Sequence, residues 1–136
     1  MSENYRQAID EFLGGDSFAV VGASTDRTKF GNKVLRAYLQ AGRRVVPVNP
    51  KGGEIEGLQS YPDIASLPEP VHGVSIVTPP AVTEKVVEEA AAAGVRNLWM
   101  QPGAESPTAI RKAEELGLNL IHSGPCALVE QGFQED

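Results

Sequence analysis

The sequence predicts an α/β fold built on a mainly parallel sheet, and three observations carry that prediction. Strand-like and helix-like segments alternate along the 136 residues. Three helical segments stop at a glycine, Gly42, Gly94 and Gly117, where the left-handed conformation that ends a helix costs least. Each of these glycines is followed within a residue or two by a short apolar run, so each helix returns the chain to a strand. Repeated strand–helix–strand units imply parallel strands joined by right-handed crossovers. Together they describe a single Rossmann-like three-layer domain with five strands, for which the order 3-2-1-4-5 is expected.

The elements follow in turn. Residues 4–13 place Tyr5, Ala8, Ile9, Phe12 and Leu13 at helical spacing, and Gly14-Gly15 stops them, which predicts a short helix capping the domain edge. Phe18 to Gly22 is the first strand. From Phe30 to Ala41 a stripe of Phe30, Val34, Leu35, Tyr38 and Leu39 predicts a helix lying on a sheet. Arg44 to Val48 is the second strand. Pro47 within it has no N–H to donate, which weighs against a central position or marks a bulge. Asn49-Pro50-Lys51-Gly52-Gly53 ends this strand as a turn.

Residues 54–72 are irregular: Glu54 to Gly57 reads as a brief extended piece and Pro62 to Leu67 as one short helix opened by proline and aspartate. Pro68 and Pro70 then stop regular structure, and the stretch stands in for a full crossover helix. Gly73 to Thr78 is the third strand. Pro79-Pro80 opens a helix carrying Val82, Val86, Val87, Ala90 and Ala93. Arg96 to Met100 is the fourth strand, Ser106-Pro107 caps and starts a helix reaching Leu116, and Leu118 to His122 is the fifth strand. The tail beyond Cys126 carries little signal.

Composition narrows the classes of function. A hydrophobic fraction of 41% and a charged fraction of 22% are those of a globular protein. No apolar run approaches the ~20 residues a membrane span needs, and the acidic, polar N-terminus is no targeting signal. One cysteine, Cys126, allows no internal disulfide and points to the cytoplasm. A net charge of −6 argues against a nucleic-acid partner but leaves room for a phosphate ligand, which needs only local donors and a cation or two.

In such a sheet, ligands sit outside the carboxyl ends of the strands, next to the first strand. These ends carry Gly22-Ala23-Ser24-Thr25, Asn49-Pro50-Lys51, Thr78-Pro79-Pro80, Gln101-Pro102-Gly103 and Ser123-Gly124-Pro125-Cys126. The first is a strand–turn–helix of the kind that offers backbone N–H groups to an anion. It departs from the dinucleotide pattern G-x-G-x-x-G, because Ser24 and Arg27 stand where glycines would be. Ser24 and Thr25 supply hydroxyl donors, and Arg27 and Lys29 flank the loop with positive charge. At the second strand end an NAD-binding protein carries an acidic residue for the ribose. Here Asn49-Pro50-Lys51 stands instead, and a lysine there favours a ribose phosphate, as in NADP or coenzyme A. His72 and His122 read as core or surface residues, and with one cysteine they form no zinc set.

Four stretches add a family resemblance: VVGAS (20–24), PVNPK (47–51), SYPDIASLPEPV (60–71) and IVTPP (76–80), joined by Gly124-Pro125-Cys126. They resemble the coenzyme A-binding domain that opens the succinyl-CoA synthetase α subunit and the ADP-forming acyl-CoA synthetases. Over residues 10–130 the chain is similar to the small stand-alone, YccU-like CoA-binding proteins. The resemblance implies that Gly22, Ala23, Ser24 and Thr25 hold the phosphates of CoA, that Lys51 contacts its nucleotide part, and that Thr78, Pro79 and Pro80 form a wall beside the adenosine. It also implies that Met100, Gln101 and Pro102 line the path of the pantetheine arm, although the synthetases are acidic where this chain has Gln101. The expected ligand is coenzyme A or an acyl-CoA, bound without catalytic machinery in this chain, and Cys126 is a candidate to face the CoA thiol. An NADP-dependent reductase, an acyl-CoA ligase component and an NAD(H)-sensing module are the alternatives.

Overall fold

Strands β1 (Phe18–Val21), β5 (Gly73–Ile76) and β6 (Asn97–Met100) are buried along their whole length, as parallel strands covered by helices on both faces must be. The computed structural model describes residues 2–135. In chain order the elements are α1 (Ser2–Leu13), β1, α2 (Phe30–Gln40), β2 (Val45–Val48), β3 (Glu54–Ile55), β4 (Leu58–Gln59), a 3-10 turn (Ile64–Ser66), β5, α3 (Pro80–Ala92), β6, α4 (Pro107–Glu115), β7 (Asn119–Ile121) and α5 (Ala127–Glu130). Alternation along the strands divides the core. Ala19, Val21, Val74, Ile76, Leu98 and Met100 face α3 and α4 through Val86, Val87, Ala90, Ala109 and Ala113. Phe18, Val20 and Trp99 face the other layer, built by Ile9 and Phe12 of α1, Val34, Leu35 and Tyr38 of α2, and Ala127 of α5. The architecture is therefore the expected three-layer, parallel, Rossmann-like one.

The strand order is not the expected one. All five main strands pair in parallel, in the order β2-β1-β5-β6-β7. Counted along the chain this is 2-1-3-4-5, which replaces 3-2-1-4-5. The reason lies on the outer edge of β2. The antiparallel hairpin of β3 and β4 leads into Tyr61, which pairs with β2: Tyr61 N donates to Pro47 O (3.1 Å) and Asn49 N donates to Tyr61 O (2.9 Å). That edge is taken, and the third long strand pairs with β1 instead, Phe18 opposite Gly73. Pro47 turns its backbone to this edge, where the missing N–H costs no bond to β1.

Local signals explain the element ends. Asp63 caps the 3-10 turn by accepting from Ser66 N, and Ser106 Oγ caps α4 by accepting from Ala109 N (3.0 Å). The predicted short helix over 62–67 shrinks to Ile64–Ser66, and the predicted extended piece over 54–57 is the first arm and turn of a hairpin. Glu56 (φ 52) and Gly57 (φ 79) form that turn, both left-handed, as a two-residue hairpin turn requires.

Candidate functional site

The corrected order moves the crevice of the fold. With 2-1-3-4-5 the direction of winding reverses between β1 and β5, so the loops after these two strands are the ones that part to admit a ligand. Gly22 (φ 98) lets the chain leave β1 there: a β-carbon on it would overlap the carbonyl oxygen of Val77 and come within 3.3 Å of Thr78 Cγ2. A cleft of about 300 Å³ opens beside this turn, lined by Phe30, Val77, Thr78, Pro79, Pro102 and Gly103. It joins the loops after β5 and β6 to the first residue of α2.

The loop from Gly22 to Lys29 is braced from within. Ser24 Oγ accepts from Asp26 N (3.0 Å), and Asp26 Oδ1 accepts from Thr28 Oγ1 (2.7 Å) and Thr28 N (3.0 Å). These Thr28 bonds hold the Asp26 carboxyl below its ordinary range, the hydroxyl contributing most. Buried Asn32 donates to Ser24 O (2.8 Å) and to Glu56 Oε2 (3.0 Å), and accepts from Arg36 Nε (2.7 Å). Helix α2 itself has no side-chain cap: its N-cap is Lys29, and no acidic residue lies in its first turn. Asn32 N donates to Lys29 O (3.1 Å), so the amides of Phe30 and Gly31 are the ones left at the positive end of the helix dipole, with the Lys29 charge beside them.

The residues singled out in the sequence fall as follows. Ala23 is buried, Ser24 is half-buried, and Thr25 and Lys29 are exposed on the loop. Asn49 reaches across from the end of β2: its Nδ2 donates to Ala23 O (2.7 Å) while its Oδ1 accepts from Lys51 N (2.8 Å). Lys51 is exposed on the turn that Asn49 folds. Thr78 lies on the cleft, its hydroxyl already sharing a hydrogen bond with Thr83 Oγ1 (2.8 Å), and Pro79 and Pro80 are exposed at the start of α3.

Met100 and Gln101 are fully buried: Met100 belongs to the core under α3 and α4, and Gln101 Oε1 accepts from Ala127 N (2.9 Å). Pro102 is the exposed residue of that segment. Gln101 Nε2 is a buried donor with no partner among the described residues. Phe30 lines the cleft and Asn32 and Arg36 hold the loop without having been named as candidates, while Gly103, named with its strand end, also lines the cleft. Of these, Phe30 could have been found from its place at the first turn of the helix that follows the loop.

A larger cavity, about 460 Å³, lies between the 3-10 turn and the C-terminal half of α3, lined by Ile64, Leu67, Pro68, Val71, Glu89 and Val95. Val71 and Val95 precede β5 and β6, so this cavity sits at the amino end of the sheet, away from the loops that carry polar groups. Burial, together with the Asp63 charge, raises the Glu89 carboxyl above its ordinary range. Among the described residues no group of three or more His, Cys, Asp or Glu side chains could hold a metal ion, and no helix is long and apolar enough to cross a membrane.

A parallel α/β sheet with its polar loops gathered at the carboxyl edge, around a turn and an uncapped helix, defines a Rossmann-like domain. Comparison with known proteins refines this. A family model described as the CoA binding domain matches residues 16–132. The ADP-forming acetate–CoA ligase I of Archaeoglobus fulgidus is 31% identical over 120 residues, which span 81% of this chain and 17% of the ligase. The solved structure of a conserved hypothetical protein from Pyrococcus furiosus superposes with a TM-score of 0.79 at 43% identity, covering 84% of this chain and 97% of that one. The dinucleotide-forming acetyl-coenzyme A synthetase 1 of Ca. Korarchaeum cryptofilum, solved with phosphate and ADP, superposes with a TM-score of 0.73 at 30% identity over 83% of this chain and 27% of the synthetase. The chain belongs to the CoA binding domain family, and it spans about a sixth of the length of the Archaeoglobus ligase.

Proposed function

We propose that the chain, working as one domain, binds coenzyme A or an acyl-CoA at the carboxyl edge of the sheet. The observation that carries this reading is the family match over residues 16–132, laid on a loop whose helix is left uncapped. The residues present fit the ligand. Ser24 and Thr25 offer hydroxyl and amide donors to the pyrophosphate, and Lys29 adds positive charge beside them. Lys51, exposed and two residues beyond the Asn49 brace, meets the ribose phosphate. Thr78, Pro79 and Pro80 bound the adenosine side, and the cleft between Phe30, Val77 and Pro102 leads the pantetheine arm toward Gly103.

The reading assigns binding to this chain and no catalytic step, and it places the protein in the cytoplasm as a carrier, a sensor or a subunit. A second reading, a component of an acyl-CoA ligase, is favoured by the ligase relatives. Calorimetric titration with CoA, dephospho-CoA, NADP and NAD tests the proposal. CoA should bind well above dephospho-CoA and both dinucleotides; absence of CoA binding overturns the proposal, and preference for NADP turns it toward a reductase.

A further inference from the structure

Two asparagines on different elements each hold a backbone carbonyl of the first loop. Asn49 Nδ2 donates to Ala23 O (2.7 Å) and Asn32 Nδ2 donates to Ser24 O (2.8 Å). The orientation of both amides follows from their other partners. The Oδ1 of Asn32 must face Arg36, because a guanidinium only donates, and Arg36 Nε lies 2.7 Å away. The Oδ1 of Asn49 must face Lys51 N, a backbone donor at 2.8 Å. In each case the amide nitrogen is left to face the loop carbonyl. A trans peptide is planar, with its C=O and N–H pointing in opposite directions. Holding Ala23 O toward Asn49 therefore turns the N–H of Ser24 the other way, and holding Ser24 O toward Asn32 does the same to the N–H of Thr25. Neither of these two N–H groups has a partner among the described residues.

We propose that Asn32 and Asn49 are the positioning residues of the phosphate site, and that Ser24 N and Thr25 N are the pair of amides they present to the anion. The inference rests on the coenzyme A reading and assigns the work within it. Arg36 is the second tier. It is buried, it bonds Arg27 O (3.0 Å) as well as Asn32, and it is held in turn by the C-terminal segment, through Glu135 Oε1 (3.2 Å) and the ring of Phe133 (5.2 Å). The loop's donor geometry is thus set by a relay from the last residues of the chain through Arg36 and Asn32 to Ser24. Two adjacent amides left without a protein partner beside a helix N-terminus serve a phosphate without any base or sugar contact.

The test is a set of 1H–15N correlation spectra of the full chain, titrated at constant ionic strength with inorganic pyrophosphate and then with CoA. In the parent protein pyrophosphate should move the amide signals of Ser24 and Thr25. Asn32→Ala should lose the Thr25 response and keep that of Ser24, and Asn49→Ala should do the reverse. Each should weaken CoA binding roughly tenfold, the worth of one charge-assisted hydrogen bond. Arg36→Lys should retain the Thr25 response, since an ammonium still donates to Asn32 Oδ1, and Arg36→Met should lose it. A general loosening of the fold would not produce this crossed pattern. If Asn32→Ala does not fold, half-buried Asn49→Ala decides the question. CoA binding by the parent with no shift at Ser24 or Thr25, or variants that keep both responses, overturns the positioning role and leaves the coenzyme A reading standing. Failure of the parent to bind either CoA or pyrophosphate overturns both.

Discussion

Gly31, in the first turn of α2, packs directly on the carbonyl oxygen of Gly22: a β-carbon at position 31 would overlap that oxygen. The helix start and the turn out of β1 are thereby pressed together, and this closeness brings the first amides of α2 up to the loop. Gly31 takes the packing role that the last glycine of a dinucleotide pattern fills, from a position deeper in the chain. Gly31→Ala should therefore cost about 2 kcal/mol, the order expected when a methyl is forced into a filled space. Urea denaturation measures it. CoA affinity, measured where the variant is fully folded, should fall as well, because α2 must back away from the turn.

Lys51 is exposed and forms no ion pair among the described residues, so its charge is available to a ligand. Lys51→Ala should lower CoA affinity roughly tenfold while leaving dephospho-CoA almost unchanged. The difference between the two ligands should shrink as salt is raised, since an exposed charge pair is screened. Equal losses for the two ligands would place Lys51 elsewhere than at the ribose phosphate.

Ser106 Oγ accepts from Ala109 N (3.0 Å) and donates to Glu84 Oε2 (3.0 Å), tying the start of α4 to α3. Ser106→Ala should cost about 1 kcal/mol of stability through the lost cap. CoA affinity should not change, because Ser106 is no part of the proposed site. Thermal unfolding and calorimetry on the same variant separate the two effects.

Glu89 stands on the apolar cavity at the amino end of the sheet, and its carboxyl is raised by burial first and by Asp63 second. A raised carboxyl binds its proton more readily folded than unfolded, so its ionisation destabilises the fold as pH rises past the ordinary carboxylate range. Glu89→Gln should raise the melting temperature at neutral pH and bring no gain below the unfolded carboxylate range, at about pH 4. Part of the side chain meets solvent, which keeps the gain small. Melting curves of the two proteins across that range should converge at the acid end.

Much of the architecture is legible in the sequence. The glycines at 42, 94 and 117, the apolar stripes and the alternation of elements all act locally, within a turn or two of the residues that carry them. The strand order was not, and Pro47 was the available clue. A proline whose backbone turns to the sheet's outer edge suits an edge strand, whereas 3-2-1-4-5 would have put it inside the sheet. The pairing of Tyr61 with Pro47 and Asn49, which closes that edge, joins residues from an irregular stretch with no strand period. The site was legible in the same uneven way. Gly22, Ser24, Thr25, Lys51, Thr78 and Pro79 do gather at one edge, as strand ends in a parallel sheet must. Met100 and Gln101 sit at another such end but turn inward, because the core and the start of α5 claim them. Asn32 and Arg36 looked like ordinary helix residues until the loop folded back over them.

From the residues alone came the alternating elements, the phosphate-type turn at Gly22, the absence of an acidic residue at Asn49 and the resemblance to a coenzyme A-binding domain. Each of these depends on which residue follows which, and local backbone preference and burial period are enough to express it. Three features depended on the tertiary structure: the order 2-1-3-4-5, the crevice between the loops after β1 and β5, and the bracing of the first loop by Asn49 and Asn32. They arise where segments distant in the chain meet, 8 and 26 residues apart at the two asparagine bonds and 55 where Phe18 of β1 lies opposite Gly73 of β5. Only the packed chain, with every buried donor seeking an acceptor, settles which of them meet.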